Sequence, residues 1–287
     1  VPAGWFFSRL RRAPLVFEVR DLWPAVFVAS GVLKEGALYR LLSAMEMASY
    51  RAAKKIVVVT RGFREDLIER GVPAGKVAVV VNGADPDLYA PRPAPAMRER
   101  LAGGAEFLVT YVGTHGLLQG LEQVLDAAEA FREDPRVAFA FVGEGARKDA
   151  LIEEAKRRGL SRVTFHKAVS KDEVPDVYAA SDACVVCLRP FPIFRKFVPS
   201  KIFEVLASAR PLVAALEGEA AEIVREAGGL AAEPGNGKSI AEALRQLLSD
   251  PAARQTIGAR GRRYVQEHYD RRALALDYLK ILETLGR

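Results

Sequence analysis

The sequence predicts an α/β protein built on parallel sheets, and three observations carry that expectation. Short apolar runs such as Phe107–Val112, Val137–Val142, Ala183–Cys187 and Leu212–Leu216 lack polar alternation, as strands buried on both faces do. Segments of helical period separate them, giving the β–α alternation of a doubly wound sheet. Glycine-bearing loops, Gly113-Thr-His-Gly116 and Gly143-Glu-Gly145, follow two of the runs and precede helices. Ligands in open α/β sheets bind outside the carboxyl ends of the strands, where such loops lie.

In chain order, residues 1–14 set Trp5, Phe6 and Phe7 beside Arg9, Arg11 and Arg12. Such a segment suits an acidic membrane surface, or it is a cut end whose aromatics belong in a fuller domain; we favour the second. Leu15–Arg20 reads as a buried strand that ends on the polar pair Arg20 and Asp21. Leu33–Ala53 reads as a helix, with Leu38, Leu41, Leu42, Met45 and Ala48 on one face and a basic opposite side. Lys55–Val59 and Val77–Val81 are further strands, with a helix at Arg61–Arg70 between them. Asn82–Asp87 is a turn. Its Asp85-Pro-Asp87 spells D-x-D, but two carboxylates without a third ligand make a thin metal site, and no metal is expected.

Pro91–Pro95 is the best domain boundary. It divides the chain into a partial first domain (1–90), a linker (91–104), a complete second domain (105–268) and a closing helix (269–287). From Phe107 the strands are Phe107–Val112, Val137–Val142, Val163–His166, Ala183–Cys187, Leu212–Leu216 and Gly229–Ala232. Helices near Leu117–Phe131, Arg147–Arg158, Lys171–Ala180, Ser200–Ala209 and Ala220–Ala227 lie between them, and Ser239–Leu248, Pro251–His268 and Arg271–Leu285 follow.

With 287 residues, half of them hydrophobic, the chain can bury two cores, which excludes a disordered class. A net charge of +6 favours anionic partners: nucleotides, acidic lipid or nucleic acid. Nucleic-acid binding would rest on that charge alone and is set aside. No apolar run has the length of a membrane span. Cys184 and Cys187 have C-x-x-C spacing, but on a strand residues three apart face opposite ways, so both are expected in the core. A reducing, cytoplasmic setting fits them.

The most informative stretch runs from Phe197 through Pro199-Ser-Lys-Ile-Phe-Glu204 to Leu216. Pro199 and Ser200 suit a helix start, and Ser200 can cap open amides. Ile202, Phe203, Leu206 and Ala209 give an apolar face, and Pro211 stops the helix. A helix N-terminus favours an anion, Lys201 adds a charge in the first turn, and Glu204 shares its face. Phosphate at Lys201 with ribose hydroxyls at Glu204 is one reading; a capped surface helix with an ordinary Lys–Glu pair is the other.

This segment resembles the donor-site segment of family-4 retaining glycosyltransferases of the GT-B fold, in particular a WbuB/WcaI-like branch that builds surface polysaccharide. Phe17-Glu-Val-Arg-Asp-Leu-Trp-Pro24, and Val81-Asn-Gly-Ala-Asp85 with Leu88-Tyr-Ala-Pro91, resemble the same branch in the same order. The resemblance runs from about Ala13 to the C-terminus. It implies strands ahead of Leu15 that this sequence lacks, so the chain reads as N-terminally truncated.

The resemblance also implies the site. The donor is a nucleotide sugar, UDP-linked in the first place. Gly113, His115, Gly116, Gly143, Gly145 and Arg147 line its loops, and the backbone of Lys167, Ala168 and Val169 reads the uracil edge. Pro199, Ser200 and Lys201 meet the diphosphate, and Glu204 the ribose. Other branches carry an Arg and a Lys in the first loop. Here both are absent, and His115 is at best a partial replacement. The family's usual first Glu falls on Lys196, so Arg195 and Lys196 become candidates for diphosphate charge. Ala209 stands where the family usually has Gly. Arg20, Asp21 and Lys201 are the catalytic candidates.

The expected activity is a hexosyl or N-acetylhexosaminyl transfer, with retention, to a glycan or polyprenyl-linked acceptor, at the inner face of an acidic membrane or free in the cytoplasm. No metal or other cofactor is expected. The alternatives are a non-catalytic nucleotide-sugar-binding remnant and a UDP-sugar 2-epimerase-like enzyme.

Overall fold

The computed structural model describes residues 2–285. By contact the chain separates into two compact units. The first comprises residues 1–82, 191–198 and 271–287; the second comprises 83–190 and 199–270.

The first unit begins with helix α1 (Pro2–Arg11), strand β1 (Val16–Val19), α2 (Ala25–Ala29), α3 (Ala37–Ala52), β2 (Lys55–Val58), α4 (Arg61–Glu69) and β3 (Val77–Val79). Its three strands are parallel in the order β1-β2-β3, with Phe17 opposite Ile56 and Ile56 opposite Val77. Val19, Ile56, Val58, Phe63 and Leu67 form the core, with Tyr50 of α3 over them. The Thr60 hydroxyl caps α4 by accepting from the Phe63 amide. The same hydroxyl donates to the Lys196 carbonyl at 2.8 Å, and Phe197 packs edge-on against Phe63. The segment 191–198 is thereby fastened to α4. Sequence pattern alone gave no helix at α1. Its Trp5, Phe6, Phe7 and Leu10 are exposed, and Trp5 joins Phe17, Trp23, Leu42 and Met45 around an apolar cavity of about 710 Å³.

The second unit holds α5 (Pro95–Ala102), β4 (Phe107–Val112), α6 (Glu122–Glu129), β5 (Val137–Val142), α7 (Lys148–Arg157), β6 (Val163–His166), α8 (Val174–Ala180) and β7 (Ala183–Cys187). There follow α9 (Lys201–Ala207), β8 (Leu212–Ala215), α10 (Glu219–Glu226), β9 (Leu230–Ala232), α11 (Gly237–Ser249) and α12 (Pro251–His268). The final helix, α13 (Arg271–Glu283), belongs to the first unit.

The six strands are parallel in the order β6-β5-β4-β7-β8-β9, so the winding reverses between β4 and β7. That is the place where open sheets bind ligands. The four inner strands, β5, β4, β7 and β8, have the continuous burial expected of a sheet covered on both faces. Cys184 and Cys187 are buried and unbridged on β7; Cys187 joins the cluster of Val109, Phe139 and Val185, and the Thr110 hydroxyl bonds Cys184 on the other face.

Two stretches differ from expectation. Residues 91–104 hold helix α5, whose Leu101 and Ala102 pack with Leu108, Ala140 and Val177 in the second unit's core. Pro95 occupies the first helical turn, where a missing N–H costs nothing. Residues 117–121 are loop rather than helix. Arg189 fixes that loop, its amide donating to the Leu118 carbonyl at 2.9 Å and its Nε to the Leu117 carbonyl at 2.6 Å.

Candidate functional site

In the second unit, the loops after β4, β5 and β6 meet at the carboxyl edge of the sheet. The His115 amide donates to the Glu144 carbonyl at 2.8 Å and the Arg147 amide to the His115 carbonyl at 2.9 Å, joining the first two loops. The approach is so close that Gly143 and Gly145 are required. A Cβ on Gly143 would lie 1.9 Å from the Gly113 carbonyl oxygen, and one on Gly145 2.4 Å from that of His115. Gly116 carries no such demand, since the nearest atom to a Cβ there is the movable tip of Gln119.

Helix α9 delivers Lys201 to the same edge. Its Nζ lies 3.2 Å from the Tyr111 phenol oxygen and 4.6 Å from that ring's centroid. Gly113 leaves room for it: a Cβ there would stand 2.3 Å from Nζ. Among the described residues no ion pair reaches Lys201 Nζ. Burial lowers its pKa, and the Glu204 carboxylate opposes that shift. One turn on, the Glu204 carboxylate accepts from the buried Tyr178 hydroxyl at 3.3 Å. A partly buried ammonium and a carboxylate thus share a helix face, as the spacing predicts.

Ser200 departs from expectation. Its backbone is already helical and its side chain makes no capping bond. The Ile202 and Phe203 amides instead bond the Pro199 and Ser200 carbonyls at 3.1 Å each, and the Ser200 hydroxyl stays exposed. At the other end, the Arg210 amide reaches the Val205 carbonyl and the Ala209 amide that of Leu206, a Schellman motif that puts Ala209 at φ +53°. Helix α12 backs α9: Arg262 donates to the Ala207 carbonyl at 2.6 Å, and Tyr269 stacks on Phe203 at 4.4 Å.

Several expected charges are otherwise engaged. Arg147 pairs with Glu122 at 2.8 Å, and Arg189 holds the same carboxylate at 3.1 Å. Burial alone would raise the pKa of Glu122; the hydrogen bonds and the two guanidinium groups outweigh it and lower the value. Arg147 therefore braces the loops rather than offering an unpaired cation. His115 is fully buried against Phe141, Phe165 and Tyr111, and neither ring nitrogen has a hydrogen-bond partner among the described residues. Burial first, then the Lys148 ammonium, push its pKa down to about 4. A neutral imidazole cannot replace the missing cations of the first loop. Lys196 Nζ lies 2.7 Å from Asp66 within the first unit, so its charge is already balanced, and Arg195 is exposed beside it.

Lys148, unnoticed in the sequence, joins the second and third loops. Its ammonium donates to the Gly143 carbonyl at 2.9 Å, the Glu144 carboxylate at 2.8 Å and the His166 carbonyl at 2.9 Å. Glu144 also accepts from the Ala168 amide. That amide is therefore not open to a base edge, while Lys167 and Ala168 themselves are exposed and Val169 packs inward.

In the first unit, Arg20 donates to Glu18 at 2.9 Å and Asn82 at 2.8 Å, and among the described residues it makes no hydrogen bond to Asp21. Burial raises the pKa of Asp21, with Arg20 opposing. Asp85 caps its own turn, accepting from the Asp87 and Leu88 amides at 3.0 and 3.2 Å.

These loops and helix α9 fall inside one family match: residues 96–264 fit the glycosyl transferases group 1 model. The chain belongs to the glycosyl transferases group 1 family. Residues 1–83 match the glycosyl transferase 4-like domain. The group 1 chain is 26% identical to the putative colanic acid biosynthesis glycosyl transferase WcaI of Escherichia coli (strain K12), over 87% of its own length and 64% of the relative's. It is 32% identical to the D-inositol 3-phosphate glycosyltransferase of Rhodococcus opacus (strain B4), over 92% and 60%. The chain thus spans less than two thirds of the curated relatives it matches. Among solved structures, Anabaena Alr3699/HepE in complex with UDP and glucose matches with a TM-score of 0.83 over 99% of this group 1 chain and 75% of that one, at 23% identity. That likeness establishes a GT-B-type α/β fold. Among the described residues, no helix is long and apolar enough to cross a membrane.

Proposed function

We propose that the protein is a retaining glycosyltransferase that moves a sugar from a UDP-sugar to a glycan or lipid-linked acceptor in cell-surface polysaccharide synthesis. The observation that carries this reading is Lys201. An ammonium without an ion-pair partner among the described residues stands beside the Gly113 loop, one turn from Glu204. An anionic ligand would complete such a site. In this reading the diphosphate meets Lys201 beside the Ser200 end of α9, Glu204 takes the ribose hydroxyls, and the backbone of Lys167 and Val169, with the Ala168 amide held by Glu144, reads the base.

Catalysis is then largely positional and electrostatic. The ammonium stabilises charge developing on the leaving diphosphate, and no metal is required for that step. Arg20 and Asp21 serve the acceptor side. The UDP in the HepE complex and the colanic acid biosynthesis in WcaI's name support the donor and the pathway class. An acidic membrane surface against the basic side of α3, where Arg40, Arg51 and, just past its end, Lys54 are exposed, is part of the same proposal.

The test is incubation with a panel of UDP-sugars and glycan or polyprenyl-phosphate acceptors. UDP release coupled to a glycoside with the donor's anomeric configuration, read by NMR, is the expected result. Conversion of the free UDP-sugar with no acceptor, or an inverted product, would overturn it.

A further inference from the structure

We propose that Tyr111 is a positioning residue for the diphosphate end of this site: its phenol holds the Lys201 ammonium and links it to the loop after β4. The inference rests on the donor-site reading above.

The direction of each bond follows from the groups involved. The Thr114 carbonyl can only accept, and an ammonium can only donate. Tyr111 Oη lies 2.9 Å from the Thr114 oxygen and 3.2 Å from Lys201 Nζ. The phenol therefore gives its one proton to Thr114 and receives one from Lys201. A single ordered chain runs from α9, through β4, to the loop that follows it. Only a neutral phenol can play both parts, and burial of Tyr111, raising its pKa well above the ordinary tyrosine value, keeps it neutral.

The ring itself cannot drift. It is 2% exposed and packs against Phe141 and His115, with centroids 6.2 and 5.8 Å away. An ammonium has three N–H donors, and Tyr111 takes one. Two remain for an anionic ligand, in a direction set by the bond to the phenol. Lys201 is a flexible side chain with several rotamers, and no carboxylate holds it in an ion pair among the described residues. The phenol is thus what converts a mobile cation into a placed one.

Tyr111→Phe deletes one oxygen and keeps the ring. Calorimetric titration should show UDP binding weakened by roughly tenfold, with uridine binding unchanged. An unaltered UDP affinity, or an equal loss for both ligands, would overturn the proposal. In a Lys201→Met background, Tyr111→Phe should have no further effect on UDP; a second full loss there would show that the phenol acts otherwise. A ligand-free readout separates this from the donor-site reading. With the lysine ε-carbon labelled, the Lys201 resonance (assigned through Lys201→Arg) should move in Tyr111→Phe and titrate at lower pH. A fixed resonance sinks the chain itself. A moved resonance in a protein whose wild type takes up no UDP keeps the chain and sinks the donor site.

Discussion

The ammonium of Lys148, at the start of α7, lies 2.9 Å from the carbonyl oxygen of His166, eighteen residues on at the end of β6. Its other two donors are taken by Gly143 and Glu144. All three N–H groups are satisfied, and two of the acceptors are main-chain atoms at strand ends. Lys148→Met would take this donor from the Gly143 carbonyl, while the His166 carbonyl keeps the Gly143 amide at 3.2 Å and the Glu144 carboxylate faces water. The expected loss is about 2 kcal/mol of unfolding free energy, measured in urea, with faster amide hydrogen exchange at residues 143–145 and 167–169. Arginine should rescue poorly, because a planar guanidinium cannot aim at three converging acceptors.

Ala209 sits at φ +53°. A left-handed backbone costs an L-residue on the order of 1 kcal/mol that glycine avoids. Ala209→Gly should therefore raise stability by somewhat under about 1 kcal/mol, after the greater chain entropy of glycine when unfolded. A thermal midpoint higher by a few degrees is the expected reading; a lower one would mean that the alanine methyl's packing outweighs the strain.

His115 gives a signed pH dependence. Its folded pKa, about 4, lies below the ordinary value of 6.5. The unfolded chain thus binds more protons between those values, and stability rises with pH across that window. The associated stability is fully present above pH 6.5 and is lost as pH falls towards 4, amounting to roughly 3 kcal/mol. The Lys148 ammonium facing the ring works in the same direction, and the Glu144 carboxylate opposes it. His115→Phe should flatten this part of the stability–pH curve. A slope unchanged by the substitution would place the imidazole in contact with water.

Arg189 braces the loop before α6 through the Leu117 carbonyl and Glu122. Arg189→Ala should raise the Glu122 pKa and speed hydrogen exchange in residues 114–121. Because the guanidinium is partly exposed, the stability loss should stay near about 1 kcal/mol. Exchange unaltered in that segment would contradict the brace.

The second unit's sheet was legible because its strands are continuous apolar runs that only a doubly covered sheet can bury, as Val137–Val142 shows. The Gly143 and Gly145 loop was legible because glycine there answers a steric need that sequence displays directly. Lys201 and Glu204 were placed on one face by spacing alone. The charge pairings were hidden because they join residues far apart in sequence: Arg147 with Glu122, Lys148 with His166, and Lys196 with Asp66. Nothing in Arg147-Lys148 says which of the two turns towards the loops. Helix α5 was masked by prolines that suggest a linker, although Met97 and Leu101 at helical spacing, followed by Gly103-Gly104, were an available signal.

The central claim, that the loop after β4 and helix α9 form a UDP donor site, is tested most directly by calorimetric titration of UDP into the chain and into Glu204→Ala. The account predicts saturable binding, weakened roughly tenfold by the substitution through loss of the ribose contact. A folded chain that takes up no UDP, or one indifferent to Glu204→Ala, would contradict it.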